Sequence, residues 1–294
     1  MANVDITRVA GNIAALNALN SLQNINNQLA IHQQRLSTGK QLNNAADDPA
    51  GWSMATSFDV NNNDLSTALN GIGDAKNLLA TAEGGLKQIS DILVKMKSKA
   101  LEAVGDTVGS TERTAIGKQL NAYAQEIDSI TTSTQWNGVQ ILKQASLNFL
   151  GGVTSSGTGD VASMSFSSQF DSAALAVDNT SVNYTSGTGS ATAAGTGLDT
   201  AVHANATVSA LAAAIDTVKN GITDVGVMTA RLTFKEENMT VAQANTEAAY
   251  NRIMNANMAS EQVEASKYQI LQQTATAMLA QANSGPQFLL SLFK

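Results

Sequence analysis

Hydrophobic positions near both ends of the chain recur at helical spacing without interruption by charge. Neither Val9 to Gln34 nor Tyr268 to Phe293 contains Lys, Arg, Asp or Glu. The opposite face of the first stretch carries Asn and Gln, which hydrogen-bond in a crowded interface without the desolvation cost of an ion. Both ends are therefore predicted to be helices buried on most sides. In the first stretch the apolar side chains that share one helical face are Ile13, Leu16, Leu19, Leu22, Ile25, Leu29 and, just past it, Leu36.

Longer helices are predicted between the ends, because a seven-residue repeat of apolar positions runs unbroken from Leu65 to Ala103. The Asp47-Asp48-Pro49 sequence predicts a helix start, since carboxylates accept hydrogen bonds from free backbone N–H groups and Pro is tolerated in the first turn. The block Gly105 to Thr111 ends the helix. The repeat consists of Leu65, Ala68, Ile72, Ala75, Leu79, Ala82, Leu86, Ile89, Leu93, Met96, Ala100 and Ala103.

The same alternation predicts two further helical regions. One ends near the Asn-Gly pair at 137–138, which is a strong signal for a tight turn, and the other continues to about Asn283. Helices at both ends of a chain imply that it runs out, turns and returns antiparallel. The apolar positions are Ile116, Leu120, Tyr123, Ile127 and Ile130 in the first region, then Val208, Leu211, Ile215, Val218, Ile222, Val225, Leu232 and Met239 in the second.

The middle of the chain has a different composition. No Lys or Arg lies between Lys143 and Lys219, and Gly, Ser and Thr dominate residues 151–200. Alternating pieces at Val161 to Phe170 and Ala176 to Tyr184 predict strands of a small hairpin, whereas residues 185–200 fit a loop or partial disorder equally well. The predicted fold is mainly α: a long antiparallel coiled-coil bundle made from both terminal segments, with a small β-rich central insert.

Charge and composition exclude several functions. A net charge of −7 with no basic run argues against nucleic-acid binding. The absence of Cys removes disulfides and thiolate ligands. We expect neither a cleaved secretory signal nor a membrane anchor, because the N-terminus lacks a basic flank before an apolar core and no apolar run approaches 18 residues.

Candidate chemistry is sparse. His32 and His203 are the only histidines, and each is interpreted as structural or solvated because no carboxylate or second His follows at ligand spacing. Asp47 and Asp48 are read as a helix start rather than an acid/base pair. We therefore predict no enzymatic activity, metal or cofactor. Glycan attachment to central hydroxyls or to the sequons at Asn179, Asn183, Asn205 and Asn238 remains a hypothesis.

Several short motifs resemble those of bacterial flagellin. The N-terminal ones are Leu36 to Lys40 (LSTGK), Asn44 to Gly51 (NAADDPAG), Thr81 to Gly84 (TAEG) and Asn137-Gly138, and the C-terminal ones are Gln269 to Gln273 (QILQQ) and Ala277 to Asn283 (AMLAQAN). The resemblance covers roughly residues 1–145 and 205–294, in the family's order and spacing. Only the centre is unmatched.

This resemblance implies a structural subunit that polymerises head-to-tail into the flagellar filament for motility, through a contact that does not close. It implies tube-forming terminal helices at 1–46 and 254–294, a helical rod at 47–145 and 205–253, and a surface insert at 146–204. The expected inner-core interface comprises Ile13, Leu16, Leu22, Ile25, Leu29, Leu36, Tyr268, Leu271, Ala275, Met278, Leu279, Leu289 and Leu292. The expected rod seam comprises Leu65, Ile72, Leu79, Leu86, Ile89, Leu93, Met96, Leu120, Ile127, Leu211, Ile215, Val218, Ile222 and Val225.

The resemblance also implies a set of partners and a location. The main partner is the chain itself, as a helical homopolymer. A flagellar export chaperone is expected to hold residues 265–293, and filament cap and hook-associated proteins are expected to contact the polymer. The implied location is the extracellular filament, reached by unfolded passage through the flagellar type III secretion channel. The terminal segments are expected to be disordered when free and ordered on assembly.

Some flagellins activate an animal innate immune receptor through the first rod helix. The matching stretch here departs from the family pattern Gln-Arg-x-Arg-Glu-Leu, with Val94, Lys95 and Lys99 standing for Gln, Arg and Leu. Lysine neither fills an apolar pocket as leucine does nor reproduces the planar fork of arginine. Weak receptor activation is therefore expected.

Two alternative functions remain open from the sequence. A hook-filament junction protein has similar terminal helices but occurs in few copies. A coiled-coil binding or adhesion module would use the apolar stripes to hold foreign helices. A flagellin with a zinc-protease insert is excluded, since the chain has no His-Glu-x-x-His motif.

Overall fold

Helices form most of the chain in the computed structural model. It describes residues 12–144, 146–153, 159–166, 169–178, 198 and 200–292, with the side chains of 153 and 285–292 left out. The prediction of a mainly α fold with a small β insert is confirmed. In chain order the described elements are α1 (Ile13–Thr38), α2 (Pro49–Glu102), α3 (Ser110–Ser133), β1 (Gln135–Trp136), β2 (Val139–Gln140), a 3-10 turn (Ile141–Lys143), β3 (Ser146–Val153), β4 (Gly159–Ser165), α4 (Ala201–Met254) and α5 (Met258–Leu292).

The chain divides into two compact units. The terminal unit comprises residues 1–62 and 244–294, and the central unit comprises residues 63–243. Each unit therefore contains residues from both halves of the chain. The three-part division into tube, rod and insert is a functional division and stays a prediction.

The central unit has one continuous apolar core. The predicted rod-seam residues all lie in it: most are buried, while Leu65 and Ile222 are partly buried and pack against its edge. The core also includes apolar side chains of β3 and β4, such as Phe149 and Met164. At about 25 cal/mol per Å² of apolar surface removed from water, this burial supplies the main driving force for folding.

Helices α2 and α4 run in opposite directions within the central unit. Lys76 Nζ lies 2.8 Å from Glu236 Oε2. Nine residues further along α2, Gly85 lies close to Leu142, since a Cβ on Gly85 would be 3.0 Å from Leu142 Cδ1. The Leu142 carbonyl accepts a hydrogen bond from Phe170 N. The Phe170 ring in turn packs against Gly221. Rising residue numbers in α2 thus correspond to falling numbers in α4, as the sequence predicted.

The predicted positions of the central strands are partly wrong. β4 covers only the first part of Val161 to Phe170, and it pairs antiparallel with β3, a strand that the sequence pattern did not predict. Ala176 and Val177 are not in a strand, since Ala176 lies in a turn with φ of 54°, and residues 179–184 lie outside the described residues. The segment that contains this turn is anchored to α3, since Ser172 N and Oγ both donate to the Asp128 carboxylate at 2.8 Å, and Phe170 is buried close by in the sequence.

The helix start predicted at Pro49 and the tight turn predicted at residues 137–138 are confirmed. Asp48 Oδ1 accepts hydrogen bonds from Ala50 N at 3.1 Å and Gly51 N at 3.0 Å, which caps the first turn of α2. The tight turn between β1 and β2 has positive φ at both central residues, Asn137 and Gly138, as a type I′ hairpin requires. α4 continues through Thr229 and Glu236, where the apolar repeat is interrupted.

Candidate assembly surface of the terminal helices

The terminal pair, α1 and α5, is joined antiparallel by side-chain amides. Asn12 Nδ2 donates to the Ala282 carbonyl at 2.8 Å, near the start of α1. About half-way along, Gln272 Nε2 donates to Asn26 Oδ1 at 2.7 Å. Amides thus perform the interhelical bonding that the charge-free ends predicted. An uncharged bond of this kind contributes about 1 kcal/mol without burying an ion.

One ionic cluster lies near the end of the pair. His32 Nδ1 and Glu261 Oε2 are 2.5 Å apart, and Arg35 Nη1 lies 3.4 Å from Glu261 Oε1. The His32 ring stacks on the Tyr268 ring, with centroids 5.3 Å apart. Lys267 Nζ lies 5.4 Å from the centroid of the Tyr268 ring. The side chains of His32 and Glu261 are each only 13% exposed. Glu261 is therefore a partly buried carboxylate with a partner on each oxygen.

The two loops that follow α1 and α4 are also paired. Ala256 N donates to the Gly39 carbonyl at 2.9 Å, and Gln41 N donates to the Met254 carbonyl at 2.6 Å. Lys40 and Asn255 form an isolated antiparallel β-bridge between these bonds. Gly39 can end α1 in this direction because its φ is +70°, the left-handed conformation that favours glycine.

Asp47 organises the loop between α1 and α2. Its Oδ2 accepts hydrogen bonds from Asn44 N at 3.0 Å and Asn43 N at 3.1 Å. These backbone bonds, with a smaller contribution from the positive charge of Arg35, lower the pKa of Asp47 below its ordinary value of 3.8. Asp47 thus holds the backbone of this loop in place.

The residues predicted for the inner core are only partly covered in a single chain. Leu29 is buried, and Leu22, Ile25, Leu36, Tyr268, Ala275 and Leu279 are partly buried. By contrast Ile13, Leu16, Leu271 and Met278 are exposed, with Leu16 at 57% and Met278 at 63%. Leu289 and Leu292 lie outside the residues whose side chains are described. The terminal pair therefore leaves large apolar side chains facing solvent.

The part of the chain that the structure describes contains no metal-binding cluster. No group of three or more His, Asp or Glu side chains converges there. A shallow cavity of about 180 Å³ lies between β4 and α4, lined by Ser163, Ser165, Asp224, Arg231 and apolar neighbours. None of the described helices combines the length and hydropathy that a membrane crossing requires.

The stretch compared with the immune-receptor motif lies on the outer side of α2. Val94 and Lys95 are exposed. Lys99 Nζ contacts both carboxylate oxygens of Glu102 at 2.9 Å. Its ammonium group is thus engaged within its own helix, and the weak receptor activation expected from the sequence stays a prediction.

Sequence reasoning missed the partners of two residues. His32 was interpreted as structural or solvated, and its contact with Glu261 joins positions 229 residues apart. The bond between Asp128 and Ser172 was not predicted either. No local spacing rule signals such pairs, because each joins residues that are far apart in the sequence.

Comparison with known proteins places this architecture in a family. The model of the bacterial flagellin N-terminal helical region matches residues 9–146, and that of the C-terminal helical region matches residues 208–293. The flagellin of Listeria innocua is 28% identical, covering 97% of this chain and 99% of the relative. That of Bacillus subtilis is 29% identical, covering 98% and 100%.

Two further comparisons concern a filament protein and a solved structure. The flagellar filament 33 kDa core protein of Treponema phagedenis is 28% identical over 96% of this chain and 98% of the relative. The crystal structure of Bacillus cereus flagellin is 21% identical with a TM-score of 0.44, covering 58% of this chain and 88% of that one. The two matched helical regions together span most of the sequence. This chain belongs to the bacterial flagellin family.

Proposed function

We propose that this protein is a structural subunit that polymerises into the bacterial flagellar filament. The observation that carries the proposal is the surface of the terminal pair. In a single chain this surface exposes large apolar side chains on helices that have long stretches without charged residues. Such a surface is unfavourable in water and suits contact with further copies of the same pair. Relatives named as filament core proteins support it.

Polymerisation of point variants tests the proposal. Leu16→Glu or Met278→Glu would place a carboxylate in the contact, where an unpaired buried charge costs several kcal/mol. We expect both variants to remain in the supernatant under conditions in which the wild type sediments as filaments visible by electron microscopy. Val161→Glu, which changes an exposed valine of β4, is the matched control and should polymerise. Wild-type behaviour of Leu16→Glu and Met278→Glu would contradict the proposal.

We further propose that the chain is exported unfolded by the flagellar type III system and bound beforehand by an export chaperone at residues 265–293. The exposed apolar face of α5 supports a chaperone, since it needs cover before assembly. Filament cap and hook-associated proteins are further proposed partners, because a filament subunit would contact them at the ends of the polymer. Culture supernatants of a chaperone-deletion strain should contain much less of this chain, with hook-protein secretion unchanged as the control.

The copy number in sheared filaments separates a main filament subunit from a hook-filament junction protein. We expect this chain to be the most abundant protein of the filament, because the proposed contact repeats along the polymer. A few copies at the filament base would favour the junction protein.

A further inference from the structure

Helix α4 presents an uncharged row of side chains to solvent within the central unit. Val227, Phe234 and Val241 are one heptad apart and are 55%, 68% and 61% exposed. This face lies opposite the buried one that carries Val225 and Leu232. We call this row the outer seam. Its members, spaced three and four residues apart, are Asn220, Thr223, Val227, Ala230, Phe234, Asn238 and Val241, all exposed.

Single exposed apolar residues are common on protein surfaces. A row of them at heptad spacing along one helix face is unusual. The outer face of a surface helix normally carries charged residues, and here the nearest ones, Arg231 and Glu237, lie to either side of Phe234. Apolar residues in heptad spacing with charges on the flanks are the composition of a helix–helix contact. No helix in the part of the chain that the structure describes covers the outer seam, since its large apolar side chains are more than half exposed.

We propose that the outer seam packs against α2 of a second copy of this chain, around Val94 and Leu101. This contact rests on the proposed function, because it operates between neighbours in the polymer. Val94 and Leu101 are also one heptad apart, and they are 54% and 52% exposed. Phe234 would insert between them as a knob into a hole.

Flanking charges select the direction of the two helices. At 3.6 residues per turn, Lys97 and Glu102 lie on opposite sides of the Val94–Leu101 row, as Glu237 and Arg231 do around Phe234. An antiparallel arrangement brings Glu237 beside Lys97 and Arg231 beside Glu102. A parallel arrangement would instead bring like charges together. Exposed pairs contribute little affinity, so these charges determine orientation.

The polarity of a filament, in which all copies have the same orientation, also requires the antiparallel arrangement. Because α2 and α4 are antiparallel in one chain, α4 of one copy meets α2 of an equally oriented neighbour antiparallel. The Lys76–Glu236 contact places Phe234 near the level of Leu78 in its own chain. Contact with Val94 and Leu101 therefore implies a stagger of about 20 residues, or about 30 Å, between neighbours.

The size of the outer seam is consistent with a contact that forms only in the polymer. A stable interface buries about 800 Å² per partner, and seven residues on one helix face fall well short of that. The outer seam is thus not expected to hold a dimer in dilute solution.

Sedimentation of full-length variants tests the contact. Phe234→Glu should raise the critical concentration for polymerisation at least tenfold, with the circular dichroism of the dilute chain unchanged; Val161→Glu is the control. Glu237→Lys should impair assembly, and adding Lys97→Glu should restore it. Wild-type assembly of Phe234→Glu, or no rescue by the charge exchange, would overturn the contact.

Disulfide cross-linking tests the geometry directly, since the chain has no native cysteine. In polymers of the double variant Phe234→Cys with Leu101→Cys, mild oxidation should produce a ladder of covalent multimers, whereas either single variant should not form one. Filaments without a ladder would overturn this contact alone. A wild-type chain that forms no filaments would overturn the proposed function and the contact with it.

Discussion

At the residue scale, Asp47 and Asp48 are adjacent carboxylates that hold different backbone segments. Asp48 caps α2, whereas Asp47 accepts hydrogen bonds from Asn44 and Asn43 in the preceding loop. The sequence predicted a helix start from the pair as a whole. It could not separate the two roles, because both side chains lie within reach of free N–H groups and only the path of the loop decides which they meet.

Asp47 gives a prediction about pH. Its pKa is lowered in the folded chain, so the folded state binds this proton less readily than the unfolded state. The resulting stabilisation is complete above the ordinary value of 3.8 and is lost as the pH falls through the lowered pKa. Asp47→Asn should therefore unfold at a lower temperature than the wild type at pH 7, and this difference should shrink below pH 3.8. Asp59→Asn, an exposed carboxylate of α2, is the control; a pH-independent difference would contradict the prediction.

The contact between His32 and Glu261 gives a second prediction. Replacing Glu261 by Ala leaves His32 and Arg35 without their carboxylate partner. The free energy of unfolding should therefore fall by about 1–3 kcal/mol. In a double-mutant cycle with His32→Ala, the coupling energy should be at least 0.5 kcal/mol, the lower bound for contacting residues. Urea unfolding followed by the helical signal measures it. Additive effects would show that the two side chains do not interact energetically.

At the scale of elements, Gly221 sets the distance between α4 and the docked segment around Phe170. A Cβ on Gly221 would lie 2.4 Å from Phe170 Cζ and 2.7 Å from Cε1, too close for any side chain. Gly221→Ala should destabilise the central unit by about 1–3 kcal/mol, as overpacking does. The measurement is the free energy of unfolding in denaturant.

Gly226 provides the matched control in the same helix. A Cβ there meets nothing within 4 Å, so Gly226→Ala should stabilise the chain by up to about 1 kcal/mol through helix propensity. The smaller side chain in Phe170→Leu should partly rescue Gly221→Ala. Equal effects of the two glycine substitutions would show that Phe170 does not press on Gly221.

The long helices could be predicted because their signal is repeated many times. The frame from Leu65 to Ala103 contains apolar residues at every seam position, so errors at single positions do not shift it. β3 lacked such redundancy. Its Asn148, Gly151 and Gly152 dilute the alternation, and its assignment depends on β4 opposite, which no local pattern reveals.

At the scale of the whole molecule, the terminal unit and the central unit differ in how much apolar surface one chain can bury. The central unit buries its seam, whereas α1 has only Leu29 buried among the described residues. The sequence anticipated this difference, since charge-free helix faces require cover from further protein. The outer seam of α4 could not be predicted from the sequence. Val227, Phe234 and Val241 recur every seven residues just as the core residues of α4 do, so the spacing alone does not tell which of the two rows faces the core.

Hydrogen exchange tests this difference between units. Amides of α1 and α5 should be protected at least tenfold more in filaments than in the dilute chain, because assembly supplies the missing cover. Amides in the middle of α2, around Leu86, should change little. Mass spectrometry after proteolysis resolves both regions, and equal protection of α1 in the two samples would contradict the prediction.

The ionic cluster of His32, Arg35 and Glu261 restricts how the two helices of the terminal pair align. Two helices joined by apolar rows and interchangeable amides can slide by one heptad and make similar contacts again. Such a shift would move Glu261 by about 10 Å along α1, away from His32 and Arg35, and leave a carboxylate in an apolar contact. The pairing of Glu261 with His32 and Arg35 therefore selects a single alignment, so in the proposed filament every copy would present its apolar side chains at the same height.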